Sequence, residues 1–245
     1  MTIKEERYPS TELPSLENAP HYYAAILRYF VPYIGAQVIE VGAGIGTFSQ
    51  CLLSVPHVTT LTLVEPAKNL FQILRKKLSE NSKVRFVNGN LQSVATSLSC
   101  DSVVLINVLE HVENDEELLN TIHQVLRPGG TVLIFVPALP RLYGSLDKNF
   151  GHIRRYRKSE LRSLLTKVGF QVECLRYFNL LGIVAWFISG KIFKCQSLNP
   201  WSVWLYDRLF MSWIPQFERM WEPALGQNLL AVSTKSPNVN QENQR

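Results

Sequence analysis

Over the first two thirds of the chain, short continuous apolar runs alternate with segments whose apolar residues recur every three or four positions. PHYYAAILRYFVPY, from Pro20 to Tyr33, has helical spacing, with Pro20 placed to open the helix. QVIEVGAG reads as a buried strand entering a glycine-rich turn, and TFSQCLLSV as the helix beyond it. TLTLVEP is a second strand ended by Pro66, and AKNLFQILRKKLSEN an amphipathic helix with a basic outer face. KVRFVNGN and SVVLINVLEH are strands three and four. DEELLNTIHQVLR is a helix with an acidic first turn, as the helix dipole favours, ended by Pro128-Gly129-Gly130 before the fifth strand TVLIFVPA. The strands are apolar throughout instead of alternating, which predicts a parallel sheet covered by helices on both faces with right-handed crossovers.

The rhythm then changes. A long polar connection, LPRLYGSLDKNFGHIRRYR, leads into a helix, KSELRSLLTKVG, and a strand, FQVECLRYF. Residues 181–226 hold all five tryptophans (Trp186, Trp201, Trp204, Trp213, Trp221) and ten aromatic residues. Leu180–Phe193 and Trp201–Trp213 read as helices apolar around most of their circumference. QNLLAVSTK closes as a last strand. The expected organisation is one domain over 18–235, with 181–226 as a helical cap inserted before the final strand and with loosely ordered termini at 1–17 and 236–245.

Composition narrows the function classes. The 245 residues are 46% hydrophobic and 18% charged, enough for a full core and too apolar for disorder. The net charge of +5 is concentrated between Arg141 and Arg176, where nine basic residues face three acidic ones. That is a local anion- or substrate-facing patch or a solvated helix, not a nucleic-acid footprint. Cys51, Cys100, Cys174 and Cys195 lack metal or redox spacing, and the five histidines form no metal motif, so no metal site is expected. The polar, proline-broken N-terminus is no signal peptide, and the longest apolar run, Leu180–Ile188, is far too short to span a bilayer. A cytoplasmic protein is expected, with contact at a membrane surface left open.

Glu40-Val41-Gly42-Ala43-Gly44-Ile45-Gly46 lies between a strand and a helix, where Gly42 and Gly44 allow a tight turn and close ligand approach. Glu65 ends the next strand, placed for both hydroxyls of a ribose, and no phosphate-binding Lys and Ser/Thr pair is present. With these residues the chain resembles the class I S-adenosylmethionine-dependent methyltransferases, in particular a bacterial small-molecule and natural-product subgroup with type 11/type 12-like domains. The resemblance covers roughly 18–178 plus the closing strand. It implies a Rossmann-like three-layer sandwich with a mostly parallel seven-stranded sheet, and S-adenosyl-L-methionine as cofactor with S-adenosyl-L-homocysteine as product. EVGAGIGTF resembles the family's first motif, and Asn88-Gly89-Asn90 its adenine loop, where Asn90 replaces the usual acidic residue. LRPGG resembles the turn into the fifth strand. The implied cofactor contacts are Glu40, Gly42, Gly44, Glu65, Pro66, Asn90, Leu91 and the carbonyl of Asn107, with Asn18 and Tyr22 closing from upstream.

Methyl transfer from an activated sulfonium needs alignment and dryness, and a base only for acceptors such as hydroxyls or amines. His111, beside Glu110 at the end of the fourth strand, and His152 in GHIRRYR are the base candidates, with Tyr156 beside His152. Arg154 and Arg155 suit an acidic acceptor through their bidentate forks, unless they latch the loop onto carboxylates. His21 is a weaker substrate candidate, and Trp186 and Tyr206 represent the insert, which could roof an apolar pocket, form a dimer contact or rest on a membrane. The expected activity is O-methylation of a small apolar molecule or short peptide carrying an acidic group, carboxylate ahead of hydroxyl. The alternatives are C- or N-methylation of a quinone-like metabolite, or a catalytically silent subunit. Expected partners are the small acceptor and, through the insert or the C-terminal tail, a second copy or fusion partner; no nucleic acid is expected.

Overall fold

The computed structural model describes residues 12–236. Residues 1–11 and 237–245, most of the expected loose termini, lie outside them. The strands are β1 (Gln37–Val41), β2 (Thr60–Glu65), β3 (Val84–Asn88), β4 (Cys100–Ile106), β5 (Leu126–Pro137), β6 (Phe170–Phe178) and β7 (Asn228–Lys235). They form one sheet in the order β3-β2-β1-β4-β5-β7-β6. Every pairing is parallel except those of β7, which runs antiparallel to both β5 and β6.

The helices are α1 (Glu12–Leu16), α2 (Pro20–Phe30), α3 (Thr47–Leu53), α4 (Lys68–Leu78), α5 (Asp115–Val125), α6 (Ser145–Asn149), α7 (Lys158–Val168), α8 (Leu180–Phe187), α9 (Pro200–Tyr206) and α10 (Ile214–Met220). Successive strand residues point to opposite faces. Val103, Leu105, Val132 and Ile134 thus join one buried cluster with Leu118, Ile122, Leu161 and Leu165 of α5 and α7. Val104, Leu133 and Phe135 join the other, with Ile26, Phe30, Leu52 and Leu74 of α2, α3 and α4. A core on each side explains why the strands show no alternation.

Three local expectations are corrected. Residues 12–16, expected to be loose, form α1, whose Leu13 packs against the glycine turn: a Cβ on Gly44 would lie 3.5 Å from Leu13 Cδ1. The fourth strand ends at Ile106 instead of running to His111, because Asn107 adopts φ 52° and turns the chain into a short 3-10 segment, Leu109–His111. Helix α5 stops at Val125, before Pro128. Leu126 is already extended, and Lys235 Nζ donates to the carbonyls of His123 and Leu126, tying the helix end to the last strand.

The insert is a helical cap. Helix α8 continues as a π turn over Ile188–Ile192, and α9 as a π turn over Asp207–Met211. Two buried carboxylates pin it. Asp207 accepts the backbone N–H groups of His21 and Tyr22 (3.1 and 2.8 Å) at the start of α2, where the helix leaves such donors unpaired. Glu218 accepts the N–H groups of Asn179 and Leu180 (2.9 and 2.7 Å) at the start of α8.

Candidate functional site

At the carboxyl ends of the parallel strands, where ligands of open α/β sheets bind, lies a cavity of about 800 Å³. Its two halves differ in chemistry.

One half is built from the ends of β1 and β2. Gly42 and Gly44 turn with φ 70° and 57°, a region costly for side-chain-bearing residues. The turn is held by Gly42 N–H on the Val64 carbonyl (2.8 Å) and by Gly44 N–H on Glu65 Oε2 (2.8 Å). Glu65 Oε1 accepts the Ala67 N–H at 2.8 Å, so this carboxylate organises the loop as well as facing the cavity. Burial pushes its carboxyl up, against the pull of those two amides. Glu40, also lining the cavity, accepts from Ser49 Oγ, and its burial pushes the carboxyl to about 8. Pro66, Asn90, Leu91 and Asn107 complete this wall, while Tyr22 lines the cavity beside Tyr206, Glu110 and Arg155, which belong to the other half. Asn18 is not in the wall; its amide reaches back to the Pro14 carbonyl.

These residues fit S-adenosylmethionine. The glycine turn leaves a wall without Cβ atoms, and two buried carboxylates suit a ribose diol and an ammonium group. Arg155 is the only Lys or Arg among the described lining residues, so no cations await a pyrophosphate.

The other half lies under the polar connection and the cap. Asp147, fully buried on α6 and absent from the sequence reading, is its hub. Its Oδ1 accepts from His152 Nδ1 (2.9 Å) and Arg155 Nε (2.7 Å). Its Oδ2 accepts the Gly144 N–H (2.9 Å) and Trp186 Nε1–H (3.2 Å). Burial pushes this carboxyl up, but His152, Arg155 and the Gly144 amide outweigh it and hold the group below its ordinary value. An ionised carboxylate only accepts, so the His152 Nδ1 facing it carries a proton. Nε2 lies 3.9 Å from Glu110 Oε1. The Arg155 guanidinium also bonds the Ala138 carbonyl and lies 4.8 Å from the Trp186 ring centre.

His111 stands edge-on to His152, ring centres 4.9 Å apart, with Nδ1 on the Gly151 carbonyl. Burial, then His152, presses its imidazole down to about 3, so it is neutral at physiological pH. The ligand atoms of Glu110, His111 and His152 lie within 4.8 Å of one another, a set of donors able to hold a metal ion. Sequence spacing predicted no such cluster, because His152 is brought in by the fold from a different loop.

Several expected substrate contacts sit elsewhere. Arg154 lies outside the cavity wall, on Asp115 Oδ2 (2.7 Å) and the Glu113 carbonyl. Tyr156 is buried behind the wall, its hydroxyl donating to the same Asp115 oxygen, and burial raises its hydroxyl further. His21 bonds Asp207 from outside the cavity. Arg155 does line the cavity but is already paired. Tyr206 and Trp186 line it as expected, Tyr206 donating to Asn179 Oδ1 at 2.6 Å. Among the described lining residues Trp186 is the only tryptophan; the other four are exposed.

Residues 15–175 match a family model described as a methyltransferase domain. A demethylmenaquinone methyltransferase of Clavibacter sepedonicus is 27% identical over 183 residues, 71% of this chain and 69% of that protein. A mitochondrial ubiquinone biosynthesis O-methyltransferase of Dictyostelium discoideum is 24% identical over 115 residues, covering 42% of this chain and only 36% of that protein. Among solved structures, an S-adenosylmethionine-dependent methyltransferase of Archaeoglobus fulgidus superposes with a TM-score of 0.59 at 18% identity, covering 91% of this chain and 99% of that one. The N-methyltransferase NodS of Bradyrhizobium japonicum, in complex with S-adenosyl-L-homocysteine, superposes with a TM-score of 0.60 at 14% identity, over 94% of both chains.

Proposed function

Because the chain belongs to the methyltransferase-domain family, we propose that it transfers a methyl group from S-adenosylmethionine to a hydroxyl of an apolar, ring-bearing acceptor, with His152 as general base. The observation that carries this reading is the His152–Asp147 pair in the cavity wall. The folding unit is taken as 18–235, now extended by α1.

S-adenosylmethionine supplies the methyl group as an activated sulfonium. Glu65 would hold the ribose, Glu40 the ammonium side, and Asn90 and Leu91 the adenine. His152 accepts the hydroxyl proton at Nε2, while Asp147 fixes the tautomer and stabilises the imidazolium that forms. His111, held neutral and poorly basic, is a neighbour that excludes water and lowers the local polarity. The preference for a hydroxyl over a carboxylate follows from Arg154 and Arg155, both already spent on Asp115 and Asp147. That reverses the order expected from sequence, because of the two roles left open for these arginines it is the one of latching the loop onto carboxylates that they fill.

The names of the two quinone-pathway relatives support a ring acceptor with an apolar tail. A second reading, methylation at a ring carbon, is favoured by the Clavibacter enzyme's longer alignment.

His152→Ala is expected to slow turnover about 10²–10⁴-fold with unchanged S-adenosylhomocysteine affinity. The assay is methyl-labelled cofactor with a panel of phenols, catechols and carboxylates. Equal turnover in the variant, or label appearing only as base-labile methyl ester, overturns the hydroxyl reading. Chelation by EDTA is expected to leave the rate unchanged; a loss restored by a divalent cation would reassign Glu110, His111 and His152 as metal ligands.

Glu40 makes a pH prediction. Its folded value of about 8 lies above the ordinary 4.5, so its contribution to stability is full below 4.5 and is lost as pH rises through about 8. An ammonium group placed beside it requires the ionised form. S-adenosylhomocysteine affinity should therefore rise with pH up to about 8 and then level off, with a proton released on binding below that point. Calorimetry in buffers of different ionisation enthalpy measures the proton, and Glu40→Gln should abolish it.

A further inference from the structure

The cap has two apolar sides. Gly182, Ala185, Trp186 and Ser189 of α8 and its π turn line the cavity. On the same helix, Leu181, Val184, Phe187, Ile188 and Ile192 are exposed, at spacings that share one face. The next segment repeats the arrangement: Ser202, Val203, Tyr206 and Met211 face the cavity, while Trp201, Trp204, Leu209 and Trp213 are exposed. Phe193 is 71%, Trp201 66% and Trp221 73% exposed. Apolar area of this extent on one element marks an interaction site.

The charges of the cap are sorted as well. Its acidic Asp207 and Glu218 are turned inward onto helix starts, and Glu222 is paired with Lys158. Lys191, Lys194 and Arg208 are exposed. The outer face therefore combines tryptophan, aliphatic residues and uncancelled cations. A second copy docked face to face would set these cations against their own images, an unfavourable contact. An anionic lipid surface complements them, and tryptophan is the residue that prefers the boundary between headgroups and acyl chains. No described helix is long and apolar enough to cross a membrane, so the geometry is one of lying on it.

We propose that the outer face of the 181–226 cap docks onto an anionic lipid bilayer, at headgroup depth. The inference rests on the cap alone and holds whichever atom the enzyme methylates.

Flotation of the full chain with vesicles tests it. Vesicles of phosphatidylcholine with phosphatidylglycerol should carry the protein and blue-shift its tryptophan emission; phosphatidylcholine alone should carry much less, and added salt should release it. Lys191→Gln and Lys194→Gln should each lower partition about fivefold. Phe193→Ser with Trp201→Ser should lower it about tenfold or more. None of these residues lines the cavity, so S-adenosylhomocysteine affinity should stay unchanged and report an intact fold. Failure to float with anionic vesicles, or flotation indifferent to these substitutions, overturns the proposal. So does a dimer in sedimentation that the Phe193→Ser, Trp201→Ser variant dissociates, which would assign the face to a second copy.

Discussion

Asp147→Ala is expected to cost about 3–5 kcal/mol of stability, because it leaves the buried Arg155 guanidinium without its counter-charge. It also strips the Gly144 amide, His152 Nδ1 and Trp186 Nε1 of their acceptor. At roughly 2–4 °C per kcal/mol for a chain of this size, the melting temperature should fall by about 6–20 °C. Asp147→Asn separates fold from chemistry. It keeps the shape and one acceptor oxygen, so melting should drop less, but the amide can no longer enforce the Nδ1–H tautomer. Turnover should then fall about 10²–10⁴-fold with cofactor affinity retained. The carboxyl is held below its ordinary value in the folded state, so its stabilisation is full above that value and is lost as pH falls through the lowered one. A melting curve for Asp147→Ala that matches the parent would remove Asp147 from the centre of this network.

Glu65→Ala should weaken S-adenosylhomocysteine binding about 100-fold or more. The carboxylate makes two short bonds to the Gly44 and Ala67 amides, and charge-assisted bonds are worth about 1.5–3 kcal/mol each. The loss has two sources: the missing ribose partner and a glycine turn released from its anchor. Thermal unfolding without ligand measures the second, calorimetric titration the sum. Glu65→Gln, which offers one acceptor oxygen in place of two, should fall between. Unchanged affinity in Glu65→Ala would overturn the ribose assignment.

The cofactor half was legible from sequence because it is local. Glu40, Gly42 and Gly44 lie within five residues, and Glu65 ends the very next strand, so strand-turn-helix rules place them together with no knowledge of long-range packing. The acceptor half was not. His152 was singled out, but its partner Asp147 sits on a short helix inside a connection that reads as loop, and Glu110 and His111 come from another strand end 41 residues earlier. Arg154, adjacent to Arg155, points to the other side of the same loop, a divergence that composition cannot show. Asp207 and Glu218 gave no signal at all, since a carboxylate on an apolar helix reads as solvent-facing until the helix start it caps comes into contact.

Beyond the mostly parallel seven-stranded arrangement, which the family resemblance implied, the alternation of apolar runs with helical periods was sufficient to specify a sheet of parallel strands, its two covered faces, the glycine turn at its carboxyl edge and an aromatic cap before the last strand. Those features follow from the backbone periods of 2 and 3.6 and from short-range turn chemistry, both written in consecutive residues. The pairing of His152 with Asp147, the neutralisation of Arg154 and Arg155, and the outward turn of four tryptophans were decided by tertiary packing. Whether a charge is free or matched, and which side of a helix meets protein or solvent, depends on neighbours that are distant in the chain and close only after it has folded.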